Sequence, residues 1–469
     1  MIASYGRLLT AVCALASTAA AVAPLEVKGK DFVNSKTNDR FQIIGVDYQP
    51  GGESGFSSKN DPLSNGDICL RDAALMQRLG LNTIRVYNLD PNLNHDKCAS
   101  IFNAAGIYMI LDVNSPLSNG ALNRGKPWTS YNDKYYEQVF GVIEAFKTFN
   151  NVLGFFAGNE VINEDATYST PKYVRAVVRD MKEYISKHAD RDIPVGYSAA
   201  DVRDILMDTA NYFECELKNS TSSRADFFGL NSYSWCGDSN FEKSGYDTLT
   251  EDFSNATLPI FFSEYGCNKV KPRKFTEVQA LYGKEMTQAF SGGLVYEWTE
   301  EDNKYGIIKA EKDGSVKTLV DYDNFRSELN KLDMKQVMAS NGTQTSVKPK
   351  TCSPDIIVDK KFYNAWDLPE APSKVSDMIN KGLSDAPSGK WVKVEATTIP
   401  NKVIDKDGKT ISDVKFEILS TDTSNSPSTR SGTSSSSSES SSNAAVPNGP
   451  PSLALGGVGG LFMLLASLL

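Results

Sequence analysis

The stretch Val152-Leu-Gly-Phe-Phe-Ala-Gly-Asn159-Glu160 is a short apolar run that stops at an amide and a carboxylate. Apolar runs of this length that contain or adjoin glycine are typical of fully buried strands. Asn159 and Glu160 would then lie where the strand leaves the sheet, and this is where ligands and chemistry gather in parallel α/β architectures. Taken alone, the stretch is equally compatible with a solvated glutamate that opens a loop.

A second stretch has the same form. Leu258-Pro-Ile-Phe-Phe-Ser-Glu264-Tyr265-Gly266 is again an apolar run that ends in a glutamate. In a barrel of parallel strands, two strand-end glutamates can face each other across one mouth even when they are far apart in sequence. Paired carboxylates that flank a bond are the groups that glycoside cleavage and transfer require.

The rest of the chain supplies a matching scaffold of alternating strands and helices. Further strands are predicted at 41–49, 82–87, 107–112, 193–197, 227–233 and 293–298. Helical spacing of apolar residues occurs at 68–79, 98–105, 135–149, 171–188, 275–290 and 321–332. Eight strands in this alternation predict an α/β fold, a (β/α)8 TIM barrel spanning residues 24–335, with a short hairpin before the first barrel strand.

Beyond the barrel the periodic pattern stops. Residues 336–420 are predicted to form a small C-terminal extension tied by Cys352, either packed on the barrel or loosely structured. Residues 421–443 are rich in serine and threonine, a composition typical of a disordered, O-glycosylated stalk.

Composition excludes several classes of function. The net charge is −9 and no long basic run is present, so nucleic acid is not an expected partner. The chain has two histidines and neither an H-E-x-x-H nor a C-x-x-C pattern, so no metal site is expected. It also has no Walker-type loop and no G-x-G-x-x-G, so no nucleotide cofactor is expected.

The N-terminus predicts secretion. Residues 1–21 carry Arg7, then an uncharged run that ends in Ala19-Ala20-Ala21, which suits signal-peptide cleavage. A signal anchor that stays in the membrane is the alternative, disfavoured because the apolar core is short.

The C-terminus predicts a lipid anchor. Small residues around Asn443 precede a polar spacer at 446–452 and an uncharged apolar tail at 453–469. This is the pattern of a glycosylphosphatidylinositol (GPI) signal, removed as residues 444–469, with Asn443 or Ser442 as the attachment residue. A transmembrane helix is the alternative, disfavoured by four glycines and the lack of a following basic residue. The expected location is therefore the outer face of the plasma membrane and the cell wall.

Secretion also bears on the cysteines and the glycosylation motifs. Cys13 would leave with the signal peptide, and the remaining six suggest three disulfides with fifteen conceivable pairings. These six are Cys69, Cys98, Cys215, Cys236, Cys267 and Cys352. Three N-glycosylation motifs begin at Asn219, Asn255 and Asn341.

The strand ends together form a characteristic mixture of carboxylates, amides and aromatic rings. Sugars are bound by such a mixture, because polar groups pair with hydroxyls and rings cover the apolar C–H faces. The side chains collected at the predicted mouth are Asp47, Gln49, Tyr87, Asp112, Asn159, Glu160, Asn231, Tyr233, Glu264, Tyr296 and Glu297.

At this point the sequence resembles a known family. From about residue 25 to 353 it is similar to the fungal GPI-anchored β-1,3-glucanosyltransferases, glycoside hydrolase family 72. Only Cys352 lies beyond residue 267, so the resemblance is to the subgroup without a cysteine-rich carbohydrate-binding module. The motifs that carry it are Gly45-Val-Asp-Tyr-Gln-Pro-Gly-Gly52, Gly154-Phe-Phe-Ala-Gly-Asn-Glu-Val-Ile162, Pro194-Val-Gly-Tyr-Ser-Ala-Ala-Asp201, Tyr233-Ser-Trp-Cys-Gly237 and Phe262-Ser-Glu-Tyr-Gly-Cys267.

The resemblance implies a role for each matching residue. Glu160 would be the general acid/base and Glu264 the nucleophile, while Asn159 would bind the sugar 2-hydroxyl. Arg85 would either keep Glu264 ionised or form a buried structural ion pair. The remaining substrate-binding residues would be Gln49, Tyr87, Asp112, Tyr233 and Tyr296. The implied disulfides are Cys69–Cys98, Cys215–Cys352 and Cys236–Cys267.

The activity that the resemblance implies is retaining transglycosylation. The enzyme would cleave β-1,3-glucan and transfer the new reducing end to the non-reducing end of another chain, which elongates cell-wall glucan. An endo-β-1,3-glucanase using the same residues is one alternative. A non-enzymatic wall-binding protein is another, disfavoured because both glutamates stand intact in their motifs.

Overall fold

The centre of the chain is a closed barrel of eight parallel strands, which confirms the predicted (β/α)8 fold. This computed structural model describes residues 22–218, 220, 222–311, 313–339 and 348–427. The barrel strands follow one another around the barrel in chain order, and the last pairs with the first.

The strands fall into three groups. A short antiparallel sheet comes first, the barrel follows, and a small sheet lies beyond it. The first sheet contains β1 (Leu25–Lys28), β2 (Asp31–Asn34) and β3 (Arg40–Phe41). The barrel contains β4 (Ile43–Tyr48), β5 (Thr83–Val86), β6 (Tyr108–Asp112), β7 (Val152–Asn159), β8 (Val195–Ala200), β9 (Phe227–Ser232), β10 (Ile260–Tyr265) and β11 (Gly292–Val295). The last sheet contains β12 (Ile308–Ala310), β13 (Val316–Thr318) and β14 (Val403–Ile404).

Helices fill most of the connections between barrel strands. They are α1 (Gly52–Gly55), α2 (Gly66–Leu79), α3 (Asp96–Ala104), α4 (Asp133–Phe146), α5 (Pro171–His188), α6 (Arg203–Glu214), α7 (Tyr246–Asp252), α8 (Glu277–Leu281), α9 (Val320–Leu329), α10 (Met334–Val337) and α11 (Ser373–Lys381). Single 3₁₀ turns occur at Pro127–Thr129, Asp165–Thr167, Met286–Gln288 and Pro354–Ile356.

The helix prediction differs from the structure in one predicted helix and in five helices that were not predicted. The long helix expected at 275–290 is only α8 followed by a 3₁₀ turn, because Gly283 interrupts it and glycine is a poor helix former. Helices α1, α6, α7, α10 and α11 were not predicted. The periodicity of α7 is too short to recognise, since it contains only two buried residues, Tyr246 and Leu249.

The first sheet closes the N-terminal end of the barrel. Phe32 of β2 packs against Phe227 and Phe261 of the barrel, each at 5.9 Å between ring centres. The apolar cluster at this end consists of Val22, Leu25, Phe32, Phe41, Ile43, Tyr108, Ile110, Leu153, Phe156, Phe227, Phe261 and Leu294. With this end filled by side chains, access to the barrel strands is left at their carboxyl ends.

The C-terminal extension packs on the barrel, which decides between the two predicted alternatives. Trp366 stacks on Tyr212 with ring centres 5.0 Å apart, and Trp391 meets Phe149 edge to face at 4.9 Å. Strand β14 pairs with β13.

The predicted start of the stalk at residue 421 is wrong. Asn425 is buried, its backbone N–H donates to the Gly106 carbonyl at 2.9 Å, and its side-chain amide donates to the Leu81 carbonyl at 2.7 Å. These bonds hold residues 421–427 against the barrel, which their composition alone does not reveal. The rest of the predicted stalk lies outside the described residues.

Three disulfides join the described parts of the chain, in the pairs that the resemblance implies. They are Cys69–Cys98, Cys215–Cys352 and Cys236–Cys267. The second links the end of α6 to the extension.

Several predicted features lie wholly outside the described residues. They are the signal peptide at 1–21, the glycosylation residues Asn219 and Asn341, the anchor residue Asn443 and the tail at 444–469. Asn255 is described, and it lies exposed in the turn after α7. Within the described ranges, no helix has the length and apolar character needed to cross a membrane.

Candidate active site

The two glutamates lie at the same end of the barrel. Glu264 is the penultimate residue of β10, and Glu160 directly follows β7. Glu160 has a φ of +49°, a left-handed conformation that costs a non-glycine residue on the order of 1–3 kcal/mol. Its backbone N–H donates to the Ser198 carbonyl of β8 at 2.9 Å, and this bond helps to hold the strained turn.

The carboxylate of Glu264 is buried and accepts three hydrogen bonds. Oε1 accepts from the Tyr87 hydroxyl at 2.8 Å and from Arg85 Nη1 at 3.3 Å, while Oε2 accepts from the Tyr233 hydroxyl at 2.6 Å. Burial raises the pKa of Glu264 above its ordinary value, and the Arg85 charge and both tyrosine hydroxyls oppose that rise. These donors therefore favour the charged form of the carboxylate against the effect of burial.

Arg85 serves two carboxylates at once. Its Nε and Nη2 bind the oxygens of Asp112 at 3.1 and 3.0 Å, and its Nη1 reaches Glu264. Burial raises the pKa of Asp112, and the adjacent Arg85 opposes this effect. One guanidinium therefore forms a buried ion pair with Asp112 and also contacts Glu264, an arrangement compatible with both predicted roles of Arg85.

Asn231, near the end of β9, connects Glu160 with the residue that precedes Glu264. Its Nδ2 donates to Glu160 Oε1 at 2.8 Å and to Asn159 Oδ1 at 3.1 Å. Its Oδ1 accepts from the hydroxyl of Ser263, the neighbour of Glu264, at 2.8 Å. The sequence placed Asn231 at a strand end but gave it no role, since its double contact depends on how β7, β9 and β10 are arranged.

Tyrosine rings form a cluster beside Glu264. Tyr296, which follows β11, lies 6.5 Å from Tyr87 and 6.3 Å from Tyr233 between ring centres. Tyr305 completes the cluster at 5.3 Å from Tyr296 and 5.7 Å from Tyr233. Sequence reasoning missed Tyr305, because it lies in a loop beyond the last strand. Gln49, directly after β4, has a buried amide nitrogen without a hydrogen-bond partner among the described residues.

Two more carboxyls lie near Glu264 and were given no role from the sequence. Asp47 on β4 is fully buried, and its pKa is held well above the ordinary range by burial and by the charge of Glu264. Glu297 follows Tyr296 and accepts from Asn303 Nδ2 at 2.8 Å. Burial raises the pKa of Glu297 to about 8.

This geometry can support two-carboxylate sugar chemistry. The Glu264 carboxyl is buried and accepts hydrogen bonds from three donors, and the Glu160 carboxyl directly follows a strand. Polar and aromatic side chains surround both. Within the described ranges, no group of three or more His, Cys, Asp or Glu side chains is placed to hold a metal ion.

Comparison with known proteins agrees with this chemistry. A family model described as Glucanosyltransferase, that of glycoside hydrolase family 72, matches residues 14–333. The chain belongs to this family. Family 72 relatives match it over most of their length, so the likeness extends beyond the barrel.

Two curated relatives and one solved structure illustrate the match. The chain is 63% identical over 434 residues to 1,3-beta-glucanosyltransferase gel2 of Aspergillus fumigatus, covering 92% of this chain and 91% of that protein. It is 43% identical over 396 residues to 1,3-beta-glucanosyltransferase GAS4 of Saccharomyces cerevisiae, covering 83% and 82%. A mutant of Saccharomyces cerevisiae Gas2p in complex with laminaritetraose and laminaripentaose is 37% identical, with a TM-score of 0.66 and coverage of 75% and 76%.

Proposed function

We propose that this family 72 protein is a retaining 1,3-β-glucan transglycosylase that elongates β-1,3-glucan. The observation that carries the proposal is that the buried Glu264 carboxylate accepts hydrogen bonds from Arg85, Tyr87 and Tyr233. The names of the relatives support the substrate and the transfer reaction. The laminari-oligosaccharides bound to Gas2p support a β-1,3-glucan substrate as well.

In the first step Glu264 attacks the anomeric carbon and forms a glycosyl ester. Glu160 gives its proton to the departing glycosidic oxygen, so that the leaving chain departs as a neutral alcohol. Asn231 orients the Glu160 carboxyl through its 2.8 Å hydrogen bond. We assign the binding of the donor sugar's 2-hydroxyl to Asn159, and its position next to Glu160, with a bond from the same Asn231 amide, supports this role.

In the second step Glu160 acts as a base. It removes the proton of an incoming 3-hydroxyl from another glucan chain, and that oxygen attacks the ester carbon. Glu264 is released as a carboxylate and Glu160 regains its proton, so the cycle closes with one β-1,3 bond broken and one formed. Arg85 and the two tyrosine hydroxyls again stabilise the charge on Glu264.

The tyrosine cluster supports transfer over hydrolysis. Tyr233, Tyr296 and Tyr305 lie together beside the nucleophile and offer ring surfaces to an acceptor sugar. An acceptor held there competes with water because it is oriented and its effective concentration is high.

Incubation with a reduced laminari-oligosaccharide, followed by sizing of the products, tests the reaction. We expect products longer than the substrate together with shorter ones. Only shorter products would show a hydrolase instead. No products at all, with tight retention of the sugar, would show a binding protein.

We further propose that the protein is secreted, loses residues 1–21 and is anchored through a GPI lipid at Asn443. The three disulfides support passage through an oxidising compartment. Treating intact cells with a phospholipase that cleaves GPI anchors should release the protein, and Asn443→Gln together with Ser442→Gln should reduce that release. Retention after treatment would favour a membrane-spanning tail.

N-glycosylation is proposed at Asn219, Asn255 and Asn341. The exposed position of Asn255 supports its access to modification. Each Asn→Gln change should lower the apparent mass of the secreted protein by one glycan, and a variant that migrates unchanged would rule out that residue.

A further inference from the structure

Arg273 is a buried cation that the mechanism above does not use. It lies in the loop between α8 and β10, the strand that carries Glu264, and it is only 3% exposed. Its Nε donates to Asp321 Oδ2 at 2.7 Å, and its backbone N–H donates to the other oxygen of that carboxylate at 3.2 Å. Asp321 therefore balances the charge and orients the side chain, and the four N–H groups of Nη1 and Nη2 remain for other partners.

Three of those N–H groups bind backbone carbonyls of residues 296–307, the loop that carries two tyrosines of the mouth. Nη1 donates to the Tyr296 carbonyl at 2.7 Å, and Nη2 donates to the Tyr305 carbonyl. Longer bonds run from Nη2 to the Gly306 carbonyl at 3.5 Å and from Nη1 to the Gly266 carbonyl at 3.3 Å. One planar guanidinium thus fixes the backbones of Tyr296 and Tyr305 relative to each other, and their ring centres lie 5.3 Å apart.

The Arg273 guanidinium also packs against aromatic rings. Its Cζ lies 5.8 Å from the centre of the Tyr305 ring and 4.7 Å from that of the Phe275 ring. Phe275 is buried and has a φ of +56°, a conformation that a bulky side chain adopts only where its surroundings impose it. The backbone beside Arg273 is therefore firmly held, and this gives the guanidinium a fixed direction.

The same loop restrains the third tyrosine beside the nucleophile. Cys267, the second residue after β10, forms a disulfide with Cys236, which lies three residues after Tyr233. Tyr233, Tyr296 and Tyr305 are therefore all linked to the segment that directly follows the nucleophile's strand. A sugar that lies on these rings keeps a defined position relative to an ester formed on that strand.

We propose that Arg273 is a positioning residue for the acceptor, which fixes Tyr296 and Tyr305 so that an incoming sugar hydroxyl, rather than water, meets the glycosyl ester. This inference rests on the proposed transfer function and on the ring surfaces that it assigns to the acceptor. The guanidinium binds Asp321 and backbone carbonyls, so its loss leaves the three donors of Glu264 in place. Ester formation, which needs no acceptor, should therefore persist, whereas transfer of the ester to a sugar should weaken.

Arg273→Met tests this assignment in the full-length enzyme, because it keeps an unbranched side chain and removes all five side-chain donors. With a reduced laminari-oligosaccharide as substrate, we expect the ratio of elongated to hydrolysed products to fall by about 10-fold, since small displacements of a bound reactant have large effects on rate. The substrate concentration at which transfer equals hydrolysis should rise by the same factor. Total cleavage should stay within about 3-fold of that of the native enzyme. An unchanged product ratio would overturn the proposal.

Arg175→Met is the matched control for the loss of a buried arginine. Arg175 lies on α5, is fully buried, and donates to the Tyr212 and Cys215 carbonyls and to the Ser223 hydroxyl. Its removal should lower Tm but leave the product ratio within about 2-fold of native, because its partners lie outside the mouth. A similar fall of the ratio in both variants would show that lost stability, and not lost positioning, changes the products, and this would overturn the proposal.

Arg273→Lys keeps the test decisive if Arg273→Met does not fold. A lysine ammonium can pair with Asp321 but lacks the planar fork that binds several carbonyls at once, so the product ratio should fall by about 3-fold. A native ratio in Arg273→Lys would show that the charge alone suffices and would overturn the positioning role. The outcomes also separate this inference from the proposed function. Elongation by the native enzyme with an unchanged ratio in the variants would refute only the role of Arg273, whereas a native enzyme that forms only shorter products would refute transfer itself.

Discussion

The two ends of the barrel are built from opposite kinds of side chain. At the N-terminal end, Phe32, Phe227 and Phe261 fill the interior with apolar surface. At the C-terminal end, buried carboxyls crowd around Arg85, and burial raises the pKa of several of them. Burial of apolar side chains at the N-terminal end stabilises the fold, whereas burial of charged groups at the C-terminal end lowers its stability. The chemistry requires those charged groups at a site from which water is excluded. Changes at the two ends should therefore separate activity from stability.

The largest effect is expected for Glu264→Gln at the mouth. Loss of the nucleophile should reduce kcat for transfer by about 10⁴-fold or more. The free energy of unfolding should fall by no more than about 1 kcal/mol, because Arg85 keeps its pair with Asp112. Product analysis and urea unfolding measure the two quantities.

Glu160→Gln is the matched control for Glu264→Gln, since it removes the proton donor and leaves the nucleophile in place. An aryl glucan donor with a good leaving group should restore the first step in Glu160→Gln and leave Glu264→Gln inactive. Rescue of both variants, or of neither, would contradict the assigned roles.

Phe227→Ala probes the opposite end. Phe227 is fully buried and its ring centre lies 5.2 Å from Phe156 and 5.8 Å from Phe261. Its truncation should lower the free energy of unfolding by about 3–5 kcal/mol through lost burial and a cavity. The kcat of the remaining folded enzyme should stay close to native, as measured at a temperature well below Tm. Phe227→Leu leaves a smaller cavity and should lower the free energy of unfolding by less. A fall in kcat without a fall in stability would contradict the proposed difference between the two ends of the barrel.

Tyr233→Phe should have an intermediate effect at the mouth. It removes one hydrogen bond to the Glu264 carboxylate while keeping the ring in the tyrosine cluster. Loss of a charge-assisted bond should reduce kcat/KM by about 10–100-fold. It should also move the acid limb to higher pH, because that bond lowers the pKa of Glu264. The Tyr305 hydroxyl makes no hydrogen bond to Glu264, so Tyr305→Phe should leave the acid limb in place.

The last expected effect concerns stability and pH. The pKa of Glu297 is about 8 in the folded protein, far above the ordinary value, so the folded state holds a proton that the unfolded state releases. Stability from this group is therefore full below the unfolded pKa and is lost as the pH rises towards 8. Between pH 5 and 8 we expect a fall of about 3 kcal/mol in the free energy of unfolding, because each pH unit between the unfolded and folded pKa values contributes roughly 1.4 kcal/mol. In urea unfolding measured at several pH values, Glu297→Gln should reduce the dependence of the free energy of unfolding on pH. An unchanged dependence would show that other groups cause it.

The sequence predicted the scaffold well because its signal is local. Strand β7 was predicted at 152–160 and observed as Val152–Asn159, and α5 was predicted at its observed ends. Apolar runs and helical spacing report burial within one element, so they do not depend on distant partners. The same locality explains the failures. Helix α7 has too few turns to show a period, and the packing of 421–427 depends on contacts with Gly106 and Leu81.

By itself, the sequence determined the alternation of strands and helices, and therefore that Glu160 and Glu264 would share one mouth. Parallel strands all end on the same side, so no distance was needed for that conclusion. Only the tertiary structure decided what surrounds each glutamate. Arg85, Tyr87 and Tyr233 reach Glu264 from two other strand ends, and Asn231 binds both Glu160 and Ser263, the residue before Glu264. Which carboxyl is charged depends on these donors and on burial, and both arise only when distant segments are brought together.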